Sequence, residues 1–241
     1  MAIERRTLVY DGPGGPFEGV VAFDSDAEGP RPGVLIVPNV LGQKEADNRV
    51  AERLAGLGYV ALAGDVFGQG KRTTRDSADP ALYMNQLNAD RALLRDRLHA
   101  SVAALKALPE VDDARTAAIG YCFGGKCVLD LARSDADLLA VVSFHGIFDR
   151  PDYATVTPIT PRVLVCHGWA DPLAPPDTVT ALAAELTEAD ARWQLHAYGH
   201  AGHGFTDESM KASSRPGFGY DADAATSSWA AMERLFAEVF A

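Results

Sequence analysis

The chain has 241 residues, 47% of them hydrophobic, which supports a substantial core and fits one large domain better than two small ones. Its 22 basic residues are outweighed by 33 acidic ones, for a formal net charge of −11. An acidic surface argues against nucleic acid and anionic membranes as partners, since both require a basic patch. It leaves open a small anionic substrate held by one or two local cations.

Two β-rich runs come first, at 5–10 and 17–23, with the turn-forming DGPGGP between them. The segment 31–38 (RPGVLIVP) is continuously apolar, as a strand buried on both faces should be. The helical pattern at 44–57 closes on Gly58, and a strand follows at 59–64. A long helix is predicted over 80–108, with Leu94, Leu98, Val102 and Leu105 marking its core face. Further strands are expected at 115–120, 138–144, 161–168 and, more weakly, 192–199. Helices are expected at 124–133, 176–188 and 222–240. Strand–helix alternation from residue 31 onward predicts an α/β fold: a mostly parallel sheet of about 7–8 strands with helices on both faces. No repeat or linker divides it, so a single domain over 1–241 is expected.

The N-terminus lacks the apolar core of a signal peptide. No apolar run approaches the ~20 residues of a membrane span. Cys122, Cys127 and Cys166 are odd in number and irregularly spaced, which is not a disulfide framework. A cytoplasmic protein with reduced thiols is expected.

The stretch AAIGYCFGGKCVL carries the chemistry. Gly120-Tyr121-Cys122-Phe123-Gly124 is G-x-C-x-G, the nucleophile-elbow spacing with sulfur in place of the serine oxygen. In such sheets ligands sit beyond the carboxyl ends of the strands. Four polar stretches fall there: NVLG, YCFGG, HGWADPLAPPD and GHAGHGF. Three of them supply Cys122, Asp171 and His203, in the nucleophile–acid–histidine order of the α/β-hydrolases. Cys122 is expected to attack a carbonyl as a thiolate, with His203 as the base and Asp171 orienting the ring. The backbone N–H groups of Phe123 and Val40 are the expected oxyanion donors. A helix beginning near Gly124 would favour negative charge on the sulfur.

His200 competes with His203 as base, and Asp177 with Asp171 as acid. The prolines of ADPLAPP fix the backbone around Asp171 and favour it. His196, His200 and His203 do not share one helix face and lack supporting carboxylates, so no metal is expected. Cys127 and Cys166 are expected in the core, although Cys127 could pair in redox chemistry with Cys122. His145 and His167 are expected at the rim of the site or behind its first layer, His99 in solvent, and Asp221, Asp223 and Glu233 on a solvated helix face.

The motifs GYCFGG, HGWADPLAPP, GHAGHGFTD and the terminal YDADAATSSWAAMERLFAEVF together resemble the dienelactone hydrolase family over almost the whole chain. That resemblance implies a cofactor-free esterase or lactonase, often monomeric, with Cys122, Asp171 and His203 as triad and a thioester intermediate. Its partner would be a small ester or lactone, and the protein a monomer or weak homodimer. Founding members of the family carry a glutamate against the resting cysteine where this chain has Asn39. They also carry a substrate-binding arginine where it has Asp207. Neutral esters are therefore expected to serve at least as well as a carboxylate-bearing lactone. Should an anionic lactone be preferred, Arg72, Arg75 and Arg91 are the replacement cations to consider. The alternatives are a catalytically silent or thiol-sensing protein and an acyltransferase.

Overall fold

The computed structural model describes all 241 residues. Eight strands form one sheet: β1 (Ile3–Tyr10), β2 (Phe17–Asp24), β3 (Arg31–Val37), β4 (Val60–Ala63), β5 (Val111–Tyr121), β6 (Ala140–Phe144), β7 (Arg162–Gly168) and β8 (Trp193–Tyr198). Their spatial order is β1-β2-β4-β3-β5-β6-β7-β8. β1 and β2 pair antiparallel, as do β2 and β4, and every later pair is parallel. The sheet has the arrangement of the α/β-hydrolase fold.

Side chains of the central strands alternate between two cores, as the period of two requires. Leu35 and Val37 join one core, and Val34 and Ile36 the other. The first core is covered by α3 (Arg91–Lys106), α4 (Phe123–Arg133) and α5 (Pro176–Glu188). The second is covered by α1 (Glu45–Ala55) and α6 (Ala222–Val239). Burying each such aliphatic side chain contributes about 1.5–3 kcal/mol.

The helix expected over 80–108 is two helices, α2 (Leu82–Asn88) and α3. Asp90 lies between them, and its carboxylate accepts from the Leu93 N–H at 2.9 Å. That N-cap satisfies an orphan donor of α3 and starts a new helix instead of continuing the old one. β5 runs longer than expected at both ends, and the other elements fall within a few residues of their predicted bounds.

After β3 the chain steps to β4 on one side. After β4 it crosses back to β5 on the other side of β3. The sheet therefore has its switch point between β3 and β5, and a crevice opens at their carboxyl ends. The loops that follow β3 and β5 carry Asn39-Val40 and Cys122. No helix is long and apolar enough to cross a membrane.

Candidate active site

Cys122 is the N-cap of α4, directly after β5, with φ 58° and ψ −113°. A non-glycine residue in this region is strained, and the surroundings must hold it there. They do so in two ways. The Cys122 N–H donates to the Phe144 carbonyl at 3.0 Å, and its own carbonyl accepts from Lys126 N–H at 3.2 Å. The flanking glycines allow the close approach: a Cβ on Gly120 would lie 2.0 Å from the Gly124 oxygen, and one on Gly124 only 2.1 Å from the Val37 oxygen. The spacing G-x-C-x-G is thus a packing requirement of the strand–turn–helix unit. The sulfur-bearing residue is half-buried.

Asp171 follows β7, and His203 follows β8. Backbone bonds tie the two loops together, from Ala170 N–H to the Ala201 carbonyl at 2.9 Å and from Trp169 N–H to the Tyr198 carbonyl at 2.9 Å. His203 is clamped further by its own N–H on the Gly217 carbonyl at 2.7 Å. The result is a buried contact of 2.7 Å between His203 Nδ1 and Asp171 Oδ2. The other Asp171 oxygen accepts from Leu173 N–H at 2.8 Å. Burial alone would disfavour the charged imidazole, but the bond to Asp171 and the adjacent Cys122 sulfur override it and push the His203 pKa up to about 10.

Cys122 and His203 line one cavity of about 1080 Å³, together with Asn39 and Val40. The Val40 N–H has no intramolecular acceptor. Phe123 is the first residue of α4, where a helix leaves its N–H groups unpaired. Both donors are thus free for a ligand. Asn39 Oδ1 is occupied within its own loop, accepting from Leu41 N–H at 3.0 Å and Lys44 Nζ at 3.1 Å.

The other histidines and acids separate clearly. His200 is 67% exposed and faces Asp221 at 3.1 Å, whereas the histidine bonded to Asp171 is His203. Asp177 is exposed in the first turn of α5. His145 and His167 are not at the rim, since they are only 3% and 0% exposed. His145 sits beside the site, its ring centroid 5.3 Å from that of His203 and its Nε2 bonded to Thr206 Oγ1 at 2.8 Å. Burial, and then the neighbouring His203, hold its pKa well below the ordinary histidine value. His99 is half-buried and bonds Ser134 Oγ at 2.9 Å instead of facing solvent, because Ser134 ends the helix packed beside it. Asp221 caps α6 through Ala224 N–H, and Glu233 accepts from the Trp229 indole at 2.6 Å, so neither is simply solvated. Cys127 and Cys166 are buried, and burial raises both thiols.

Asp207, at the position where the resemblance expects an arginine, is itself bound by Arg75 at 2.9 Å across the cleft mouth. Arg72 is held by Asp65 at 3.3 Å and donates to the Glu18 carbonyl. Arg91 lies in a buried network, bonded to Asp130 at 2.6 Å and Asp149 at 2.7 Å. All three suggested cations are thus engaged. Two that sequence reasoning passed over, Arg49 and Arg53 on α1, line the cavity; their spacing of four residues along one helix face was the available signal.

The family model described as "Dienelactone hydrolase family" matches residues 17–240. The solved structure titled m3DLH is 39% identical, with each chain covered in full and a TM-score of 0.94. The dienelactone hydrolase-like promiscuous phosphotriesterase P91, from metagenomic libraries, is 38% identical, again with full coverage of both chains and a TM-score of 0.93. An uncharacterised protein of Caenorhabditis elegans is 37% identical over 158 residues, which is 61% of this chain and 95% of that protein. On fold, site geometry and family match together, the chain belongs to the dienelactone hydrolase family of carboxylic ester hydrolases.

Proposed function

We propose that the protein hydrolyses small esters or lactones through a thioester on Cys122. The observation that carries this reading is the 2.7 Å His203–Asp171 contact in a cavity shared with a cysteine at a strained elbow. The Cys122 thiolate attacks the carbonyl carbon, and the negative charge on the carbonyl oxygen meets the Val40 and Phe123 N–H groups. Protonated His203 gives its proton to the leaving alkoxide, and the C–O bond breaks to leave the thioester. His203, now neutral, takes a proton from water, whose oxygen attacks the thioester. That proton re-forms the imidazolium, and collapse of the adduct breaks the C–S bond, releasing the carboxylic acid and leaving the thiolate beside it. Asp171 keeps the ring oriented and supports its positive form throughout. No cofactor enters the scheme.

The test is p-nitrophenyl acetate. A burst followed by steady turnover, both abolished by iodoacetamide, is expected. A burst of one equivalent with no turnover would point instead to a silent or thiol-sensing protein. Turnover that survives Cys122→Ala would overturn the assignment. The likeness to P91 makes neutral phosphotriesters a second substrate class to assay.

A further inference from the structure

The cleft does not end at Cys122. α1 packs against β2 and β4, and α6 against β6 and β7, which leaves the end of β5 uncovered between them. Tyr121 floors this gap, its ring stacked on Phe144 with centroids 4.9 Å apart. One wall is the α1 stripe of Ala46, Arg49, Val50 and Arg53, and the opposite wall includes Trp229 of α6. These residues line the same cavity as Cys122, and its volume of about 1080 Å³ lies just above the ~300–1,000 Å³ usual for a small-molecule site. A compact lactone would fill only part of it.

Arg49 and Arg53 are exposed, and neither belongs to an ion pair, although the chain carries a net charge of −11. The nearby carboxylates along α1 are already engaged. Glu45 and Glu52 are bound by Arg5 at 2.8 and 3.3 Å, and Asp47 by Lys44 at 3.1 Å. The Arg53 guanidinium lies 3.6 Å from the centroid of the Trp229 ring. Stacking occupies the face of a guanidinium and leaves its in-plane N–H donors available to an anion. Four residues of helix separate the two arginines by about 6 Å of rise, so both can reach one carboxylate.

We propose that the α1–α6 groove is a distal anion subsite, which takes the terminal carboxylate of an ester whose reacting carbonyl lies at Cys122. The linking chain would run over Val50 and Trp229. This rests on the ester-hydrolase reading above.

The experiment compares p-nitrophenyl half-esters of succinate, adipate, suberate and sebacate with neutral p-nitrophenyl esters of matched length. The ratio of kcat/KM, half-ester over neutral ester, is expected to rise with chain length. In Arg49→Gln/Arg53→Gln that ratio should fall about fivefold for the longer half-esters, the scale of exposed ion pairs. Arg53→Lys should keep part of it. A ratio that ignores chain length, or is unchanged in the double variant, overturns the subsite. Calorimetric titration of Cys122→Ala with suberate reads the subsite without turnover: binding weakened by the two substitutions supports it, and binding unaffected by them overturns it. Failure of every ester to turn over, with suberate still bound through the arginines, would sink the hydrolase reading and leave the anion site standing.

Discussion

Asn39 Oδ1 accepts a hydrogen bond from Lys44 Nζ at 3.1 Å, at the mouth of the cleft that holds Cys122. An amide cannot titrate, so this position cannot take a proton from the thiol. The free enzyme is therefore expected to be alkylated readily by iodoacetamide at neutral pH. In Asn39→Glu the new carboxylate meets Lys44, which would pair with it. The slowing of alkylation should thus be small in Asn39→Glu and larger in Asn39→Glu/Lys44→Met. Rates across pH 5–9 check this; a double variant alkylated as fast as wild type would refute the resting-state argument.

Cys122→Ala should reduce p-nitrophenyl acetate turnover by at least about a thousandfold while leaving the circular dichroism spectrum intact, because no other nucleophile occupies the elbow. Cys127→Ala should retain activity within about twofold. It removes one buried sulfur and costs about 1 kcal/mol or somewhat more. Comparable losses in the two variants would remove the distinction on which the nucleophile assignment rests.

Asp171→Asn should lower kcat about ten- to a hundredfold. That is less than in a serine triad, because in the proposed mechanism the sulfur attacks as a thiolate and no proton has to be removed at that moment. The His203–Asp171 contact also makes stability depend on pH. His203 holds its proton more tightly folded, with a pKa of about 10, than unfolded, near 6.5. Its contribution is therefore complete below about pH 6.5 and is lost as pH rises towards 10. Urea unfolding at pH 6, 8 and 10 should show wild type losing more stability over that range than Asp171→Asn. Parallel curves would contradict the linkage.

Gly124→Ala would place a methyl group 2.1 Å from the Val37 oxygen and 2.7 Å from the Pro38 oxygen. Both neighbours are backbone and cannot rotate away, so β3 and α4 must separate. A cost of about 3 kcal/mol or more is expected, and a fall in Tm of roughly 6–12 °C for a chain of this size. Activity should fall as well, since the Val40 loop follows directly from β3. A Tm within about 2 °C of wild type would show that the elbow is looser than described.

What the sequence determined by itself was whatever local periodicity and close-range sterics encode. Short continuous apolar runs, bounded by Gly and Pro, read as strands buried on both faces, and their alternation with helices pointed to a parallel sheet. The elbow was legible because its glycines, cysteine and following helix lie within a few residues of one another. Asp90 was legible in principle as an N-cap, but the continuing apolar stripe through Leu94 and Leu98 masked the break. The tertiary structure decided the contacts between groups far apart in the chain, which no periodicity records. Arg75 meets Asp207 across 132 residues, and this makes the departure at Asp207 a neutralised pair instead of a bare negative charge. Arg91 is drawn under α4 by Asp130, and His145 is buried against His203. Arg49 and Arg53 look like ordinary solvated charges on an amphipathic helix. Only the switch point between β3 and β5, which sets α1 apart from α6 above Tyr121, turns that face of α1 toward the cleft.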